Sequence, residues 1–276
     1  MATSRNKALF RFGIVTDIHF SLEGASLAAE ELCLSLDGWH RDNVDVLMQL
    51  GDLVNGSEAH QEDELRAVQA IFNEFSGTIH HVVGNHCLAL PREELLVALG
   101  LSAPFYAFVV AGFRFLVLDG MDVSVLRVPE TEEDERMLAL FQADPALHDY
   151  CGAVGVRQKE WLRGELEGAE RRGERVIVVC HFPFLPNTTD EKHGLLWNHR
   201  EIVELLSASS AVKVCLSGHY HHGGYECRNG IHFVVLPAFV NRQEHPDFFC
   251  GTVALYATRL VIQNQHHEVF LEFNLS

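Results

Sequence analysis

The stretch Phe10-Arg-Phe-Gly-Ile-Val-Thr-Asp-Ile-His19 decides how the chain is read. A β-branched and aromatic run, Phe10–Thr16, ends abruptly in two metal-binding side chains, Asp17 and His19. Four later segments repeat the arrangement: Gly51-Asp52, Gly84-Asn85-His86, Cys180-His181 and Gly218-His219-Tyr220-His221 each close an apolar run. In extended chain, residues i and i+2 face the same side, so Asp17 with His19, and His219 with His221, can each converge on one ion. Open α/β sheets collect their ligands outside the carboxyl ends of strands, where all five segments fall.

The runs that read as strands are Phe10–Thr16, Val44–Leu50, Ile79–Val83, Phe105–Val110, Phe113–Leu118, Val176–Cys180, Val212–Leu216, His232–Leu236, Thr252–Tyr256 and Leu260–Gln263. Helical spacing of apolar residues marks Ala25–Asn43, Glu62–Phe75, Gln158–Arg171 and Asn198–Ser207, the last opening on a capping-box pair, Asn198 and Glu201. Strands alternating with helices early in the chain suggest parallel βαβ units. The tail reads as hairpins, with an Ala-Gly turn before Phe113 and an Asn-Gly turn before Ile231. The expectation is an α/β sandwich of two mixed sheets covered by helices, in a single domain spanning 1–276. Residues 121–155 break the rhythm with a run of acidic residues and read as an insertion, a surface excursion or a cap beside the site.

Composition narrows the classes. At 276 residues, 47% hydrophobic and 21% charged, the chain is ordinary globular protein. No apolar run approaches the ~18–20 residues of a membrane span, and the opening Met1-to-Arg11 stretch lacks a signal-peptide core. The seven cysteines are odd in number and form no Cys-x-x-Cys pair, which fits reduced thiols in a cytoplasm. A net charge of −17 disfavours long nucleic-acid partners, whose backbone needs a basic surface. Cys87 and Cys180 read as small buried thiols, and His222, His266 and His267 as residues without ligand duty.

The candidate ligands are Asp17, His19, Asp52, Asn85, His181, His219 and His221. Mixed imidazole and carboxylate donors suit Mn, Fe, Zn or Co rather than Ca or Mg, and the absence of cysteine disfavours a closed structural zinc site. The set exceeds what one ion uses. With Asp52 shared, two ions of four ligands each account for all of it, with His86 left over. Two ions about 3.5–4 Å apart are the arrangement that activates water and clamps a phosphoryl group.

The order Asp-x-His, Gly-Asp, Gly-Asn-His, His, Gly-His-x-His across positions 17–221 resembles the calcineurin-like metallophosphoesterase superfamily. The resemblance implies a four-layer α/β/β/α sandwich with two divalent ions. One would be held by Asp17, His19, Asp52 and His221, the other by Asp52, Asn85, His181 and His219. It also implies attack by a hydroxide bridging the ions, with Asp52 and His86 catalytic, Asn85 and His86 on the phosphate, and His86 protonating the leaving oxygen. Asn55 stands where purple acid phosphatases carry a tyrosine ligand, which sets that branch aside.

Four downstream segments, Gly152-to-Leu162, His181-Phe-Pro183, Leu196-Trp-Asn-His-Arg-Glu201 and Gly218-to-Gly224, are similar to the manganese-dependent ADP-ribose/CDP-alcohol diphosphatases, although that group usually has glutamine at the position of His19. That similarity implies cleavage of the pyrophosphate of a small nucleotide conjugate, with manganese as the metal and iron or zinc compatible with the ligands. Asn198 and His199, at a helix start, are candidate substrate contacts. The alternatives are a cyclic-nucleotide or glycerophosphodiester phosphodiesterase with the same centre, and a non-catalytic scaffold.

Overall fold

The computed structural model describes residues 7–56 and 59–275; the first six residues of the amino-terminal stretch read above lie outside them. The elements run β1 (Phe10–Val15), α1 (Ala25–Arg41), β2 (Val46–Gln49), α2 (Gln61–Phe72), β3 (Thr78–His81), α3 (Arg92–Ala98), β4 (Tyr106–Val110), β5 (Phe113–Leu118) and α4 (Glu132–Gln142). They continue as α5 (Val156–Arg172), β6 (Arg175–Cys180), α6 (His199–Ser207), β7 (Val212–Ser217), β8 (Gly224–Arg228), β9 (Ile231–Val235), β10 (Cys250–Leu255), β11 (Arg259–Asn264) and β12 (Val269–Asn274).

Two six-stranded sheets result, ordered β12-β11-β10-β1-β2-β3 and β4-β5-β6-β7-β9-β8. The strands joined through helices, β1-β2-β3 and β5-β6-β7, pair in parallel, and β9 extends the second run beside β7. The tail strands β10, β11 and β12 pair antiparallel, as do β4-β5 and β8-β9. The hairpin turns Ala111-Gly112 and Asn229-Gly230 have positive φ at both residues, the backbone that matches the twist of the strands they join.

The parity of each strand builds the layers. In β6, Ile177 and Val179 face the other sheet, while Val176, Val178 and Cys180 face helices. Phe12 and Ile14 of β1 meet Phe113, Phe115 and Val117 of β5 in the inter-sheet core, with Phe12 edge-on to Phe115. Outside the first sheet lie α1, α2 and α3; outside the second lie α5, α6 and α4. Burial on both faces explains why the central strands read as unbroken apolar runs. This is the expected four-layer α/β/β/α sandwich.

Four elements escaped the sequence reading: β8, β12, α3 and, inside the stretch read as an insertion, α4. β8 and β12 are edge strands with charged residues among apolar ones, half in solvent, so neither shows a clean apolar run. α3 spans only seven residues, too few for a periodic signal.

The insertion has a closed neck, where Val123 and Ala153 exchange both backbone hydrogen bonds at 2.8 and 2.9 Å. Its acidic run starts α4: Thr131 accepts the Asp134 N–H at 3.1 Å, and Asp134 in turn accepts the Val156 N–H at 2.9 Å. Met137, Leu138 and Phe141 pack onto the outer core of the second sheet. Trp197 completes the attachment, its indole N–H donating to the His148 carbonyl at 3.2 Å and its ring 5.2 Å from Phe141.

The capping box at α6 does not form. Asn198 makes no side-chain bond to the helix backbone and meets Glu201 only side chain to side chain, at 3.5 Å. It pairs instead with the Val154 backbone, accepting its N–H at 3.1 Å and donating to its carbonyl at 2.8 Å. Both groups are buried, and a buried polar group left unpaired costs about 1–3 kcal/mol. Asn198→Ala is therefore expected to lower stability by about 2–4 kcal/mol, read as a lower urea midpoint at unchanged slope.

Candidate metal centre

The metal-ligand segments meet where the carboxyl ends of two parallel strand sets face each other. Asp17 and His19 follow β1, Asp52 follows β2, and Asn85 and His86 follow β3. Across from them His181 follows β6, while His219 and His221 follow β7. Asp17, His19, Asp52, Asn85, His181 and His219 are buried; His86 stays exposed.

The convergence does not come from extended backbone. Asp17, His19, Asp52 and His219 all have left-handed conformations, with φ of 49°, 44°, 51° and 66°. Such backbone costs on the order of 1–3 kcal/mol in a residue with a side chain and persists only where the surroundings enforce it. Here the Asp17 and His19 N–H groups donate to the carbonyls of Gly51 and Asp52 at 3.1 and 3.0 Å, stitching the end of β1 to that of β2. The i, i+2 expectation holds for Asp17 with His19 but not for His219 with His221, which turn to different groups of donors. Two glycines are required by contact: a Cβ at Gly84 would strike the Asp52 carboxylate, and one at Gly218 would strike Thr16 and Asp17.

Three of the imidazoles are aimed by a hydrogen bond on the far side of the ring. His181 donates through Nδ1 to the Leu50 carbonyl at 2.9 Å, and His219 through Nε2 to the His193 carbonyl at 2.8 Å. His221 Nδ1 lies 2.8 Å from Asn241 Oδ1. These bonds leave His181 Nε2, His219 Nδ1 and His221 Nε2 turned inward, as metal-binding histidines require.

The inward atoms form two groups. His181 Nε2 lies 3.2 Å from Asp52 Oδ2, 3.2 Å from Asn85 Oδ1 and 3.3 Å from His219 Nδ1. His19 Nε2 lies 3.2 Å from His221 Nε2, 3.7 Å from Asp17 Oδ1 and 3.6 Å from Asp52 Oδ2. The Asp52 Oδ2 atom belongs to both groups, while Oδ1 accepts the His86 N–H at 2.9 Å.

Asp17 tests whether a cation fits. Its Oδ2 takes hydrogen bonds from the Thr16 hydroxyl at 2.5 Å and the His219 N–H at 2.9 Å. Its Oδ1 is buried with no hydrogen-bond donor and faces the inward nitrogens of His19 and His221. An anionic oxygen in that position is costly unless a positive charge meets it. Nitrogen and carboxylate donors around it suit divalent transition ions.

The electrostatics point the same way. Burial opposes ionisation of Asp17 and Asp52, yet the imidazoles around them, His181 foremost, hold both carboxyls well below the usual range. Burial likewise opposes a proton on His181, but the charges of Asp52 and Asp17 win and push it up to about 9. His219 falls to about 3, through burial and then the neighbouring His181. The two carboxylates thus concentrate negative potential where the donor atoms converge.

A cleft of about 510 Å³ opens over these donors. His19, Asp52, Asn85, His86, His219 and His221 line it, joined by Asn55, Tyr150, Lys192, His193, Val240 and Asn241. The sequence analysis marked the 121–155 insertion that carries Tyr150 but none of Tyr150, Lys192 and His193 themselves, since none closes a strand.

Two expected substrate contacts are absent from the cleft. Asn198 is occupied with Val154, and His199 lines a separate hollow with Pro186, Arg200 and Arg228. His222 is exposed and lies 2.8 Å from His245, and His267 lies 3.4 Å from Asp42.

Comparison with known proteins agrees with this architecture. A manganese-dependent ADP-ribose/CDP-alcohol diphosphatase from Arabidopsis thaliana is 31% identical, over 86% of this chain and 88% of the relative. A protein of the same description from Oryza sativa subsp. japonica is 28% identical over 94% and 92% of the two chains. The crystal structure of a dimetal phosphatase from Danio rerio superposes with a TM-score of 0.86 at 25% identity, covering 98% of this chain and all of that one. The family described as calcineurin-like phosphoesterase matches residues 10–223, and the chain, with the sandwich and strand-end donors described above, belongs to that family of hydrolases.

Proposed function

We propose that this protein hydrolyses the diphosphate linkage of small nucleotide conjugates of the ADP-ribose and CDP-alcohol type, with manganese as its metal. The observation that carries the reading is the Asp52 carboxylate, shared by two donor groups at the floor of the cleft. The names of the relatives from Arabidopsis thaliana and Oryza sativa supply the substrate class and the metal. One ion would rest on Asp17, His19, Asp52 and His221, the other on Asp52, Asn85, His181 and His219. When bound, such a pair supplies a water nucleophile at neutral pH and neutralises phosphoryl charge.

The chain's own groups orient and protonate. His86 donates through Nδ1 to the Asn55 carbonyl at 2.7 Å, which leaves Nε2 free in the cleft. With Nδ1–H held by the Asn55 carbonyl, the proton passed to the leaving oxygen is the one that Nε2 carries in the imidazolium form of the ring. The Asn85 amide meets the phosphoryl group beside it. The bond from the His86 N–H to Asp52 Oδ1 fixes the proton donor relative to the shared carboxylate.

The wider setting is part of the proposal. Residues 1–276 act as one domain, with 121–155 as a wall of the cleft rather than a separate body. All seven cysteines are free, which supports a cytoplasmic setting; among the described residues no helix is long and apolar enough to cross a membrane.

Hydrolysis of ADP-ribose and CDP-choline with Mn²⁺ should yield nucleoside monophosphates. Turnover of cyclic AMP or glycerophosphocholine alone would overturn the substrate reading. Asp52→Asn and His219→Ala should each abolish most turnover and lower bound metal; full metal content and full rate in Asp52→Asn would overturn the centre. His86→Ala should keep its metal, measured by elemental analysis, while kcat falls about 10²-fold or more.

A further inference from the structure

One wall of the cleft carries an arrangement that the reaction chemistry leaves unused. Tyr150 lines the cleft, is 40% exposed and stacks on His148 with ring centroids 4.9 Å apart and planes 7° from parallel. Both rings are fastened from the facing loop. The Tyr150 hydroxyl donates to the Lys192 carbonyl, and His148 donates through Nε2 to the Glu191 carbonyl at 2.6 Å. An exposed aromatic pair held at both polar ends contributes little to a core. It has, however, already lost the rotational freedom that a ligand would otherwise have to remove.

Its position relates it to the donors. The Tyr150 ring lies 6.0 Å from that of His219, which follows β7 of the second sheet, whereas His86 follows β3 of the first sheet and is held by Asn55. A cleft of about 510 Å³ has room for more than a phosphate. A planar group joined to the phosphoryl centre by a short linker meets Tyr150 on one side and leaves the His86 side for the departing oxygen.

We propose that Tyr150, backed by His148, is the platform on which the nucleobase of the substrate stacks. The proposal rests on the nucleotide reading above and refines it. Adenine and cytosine both carry an amino group beside a ring nitrogen, but a two-ring and a one-ring base set that edge at different distances from the sugar, and their other edges differ. A platform that reads the flat π face accepts both wherever the edges fall, whereas fixed edge-directed groups would favour one of them. That tolerance is what a site for ADP-linked and CDP-linked conjugates needs.

The test is equilibrium binding of AMP, CMP and ribose 5-phosphate to the manganese-loaded protein, by calorimetry. AMP and CMP should each bind roughly tenfold or more tighter than ribose 5-phosphate. Tyr150→Ala should erase that difference, leaving ribose 5-phosphate affinity within about twofold, and Tyr150→Phe should retain it. Equal affinities in the unaltered protein, or a preference that survives Tyr150→Ala, would overturn the proposal. A loss of bound manganese in both variants would assign Tyr150 to bracing the Lys192 loop instead, and would overturn it too. Preference for AMP without hydrolysis of any nucleotide conjugate would remove the diphosphatase reading and leave the platform standing.

Discussion

Asp52 reaches into both halves of the molecule with one carboxylate. Its backbone ends β2 of the first sheet; its Oδ2 lies against His181, which ends β6 of the second, and against His19 beside β1. Its other oxygen holds the backbone of His86. Left-handed backbone at Asp52, the bare Cα of Gly84 and the inward turn of His181 all serve to let that carboxylate stand where it does. Burying it is unfavourable in itself, so the imidazoles drawn around it are a condition of the fold as much as of the chemistry.

The candidate ligands were legible in the sequence because they sit at an abrupt change of character. A chain that runs Ile-Val-Thr and then Asp-Ile-His leaves a buried strand for a polar edge, and five such edges in one chain specify both the strands and the place where they end. The local geometry was not legible. Pleat arithmetic paired Asp17 with His19 and reached the right neighbours, although the backbone there is left-handed rather than extended. It failed for His219 and His221, because the turn after β7 separates what a straight strand would align.

Other residues misled or stayed hidden for a related reason. Asn198 and His199 carry the side chains of a phosphate site, but the partner of Asn198 is fixed by the return of residue 154 to its side, a long-range event without a local trace. Tyr150, Lys192 and His193 belong to loops whose position depends on α4 docking and on Trp197. β8 and β12 lack a signal because an edge strand answers to solvent on one side and to its neighbour on the other.

The inter-sheet core has a mechanical role beyond its stability. Each sheet carries part of the donor set rigidly on its strand ends, so the spacing between donors is the spacing between sheets. Phe12 against Phe115, with Ile14, Val117 and Val179 around them, sets that spacing as a shim sets the gap between two plates. Interiors packed to crystal density do not deform smoothly, so a change of volume in this layer shifts one plate against the other. Residues that never see substrate thereby tune the distance across which two ions would have to cooperate.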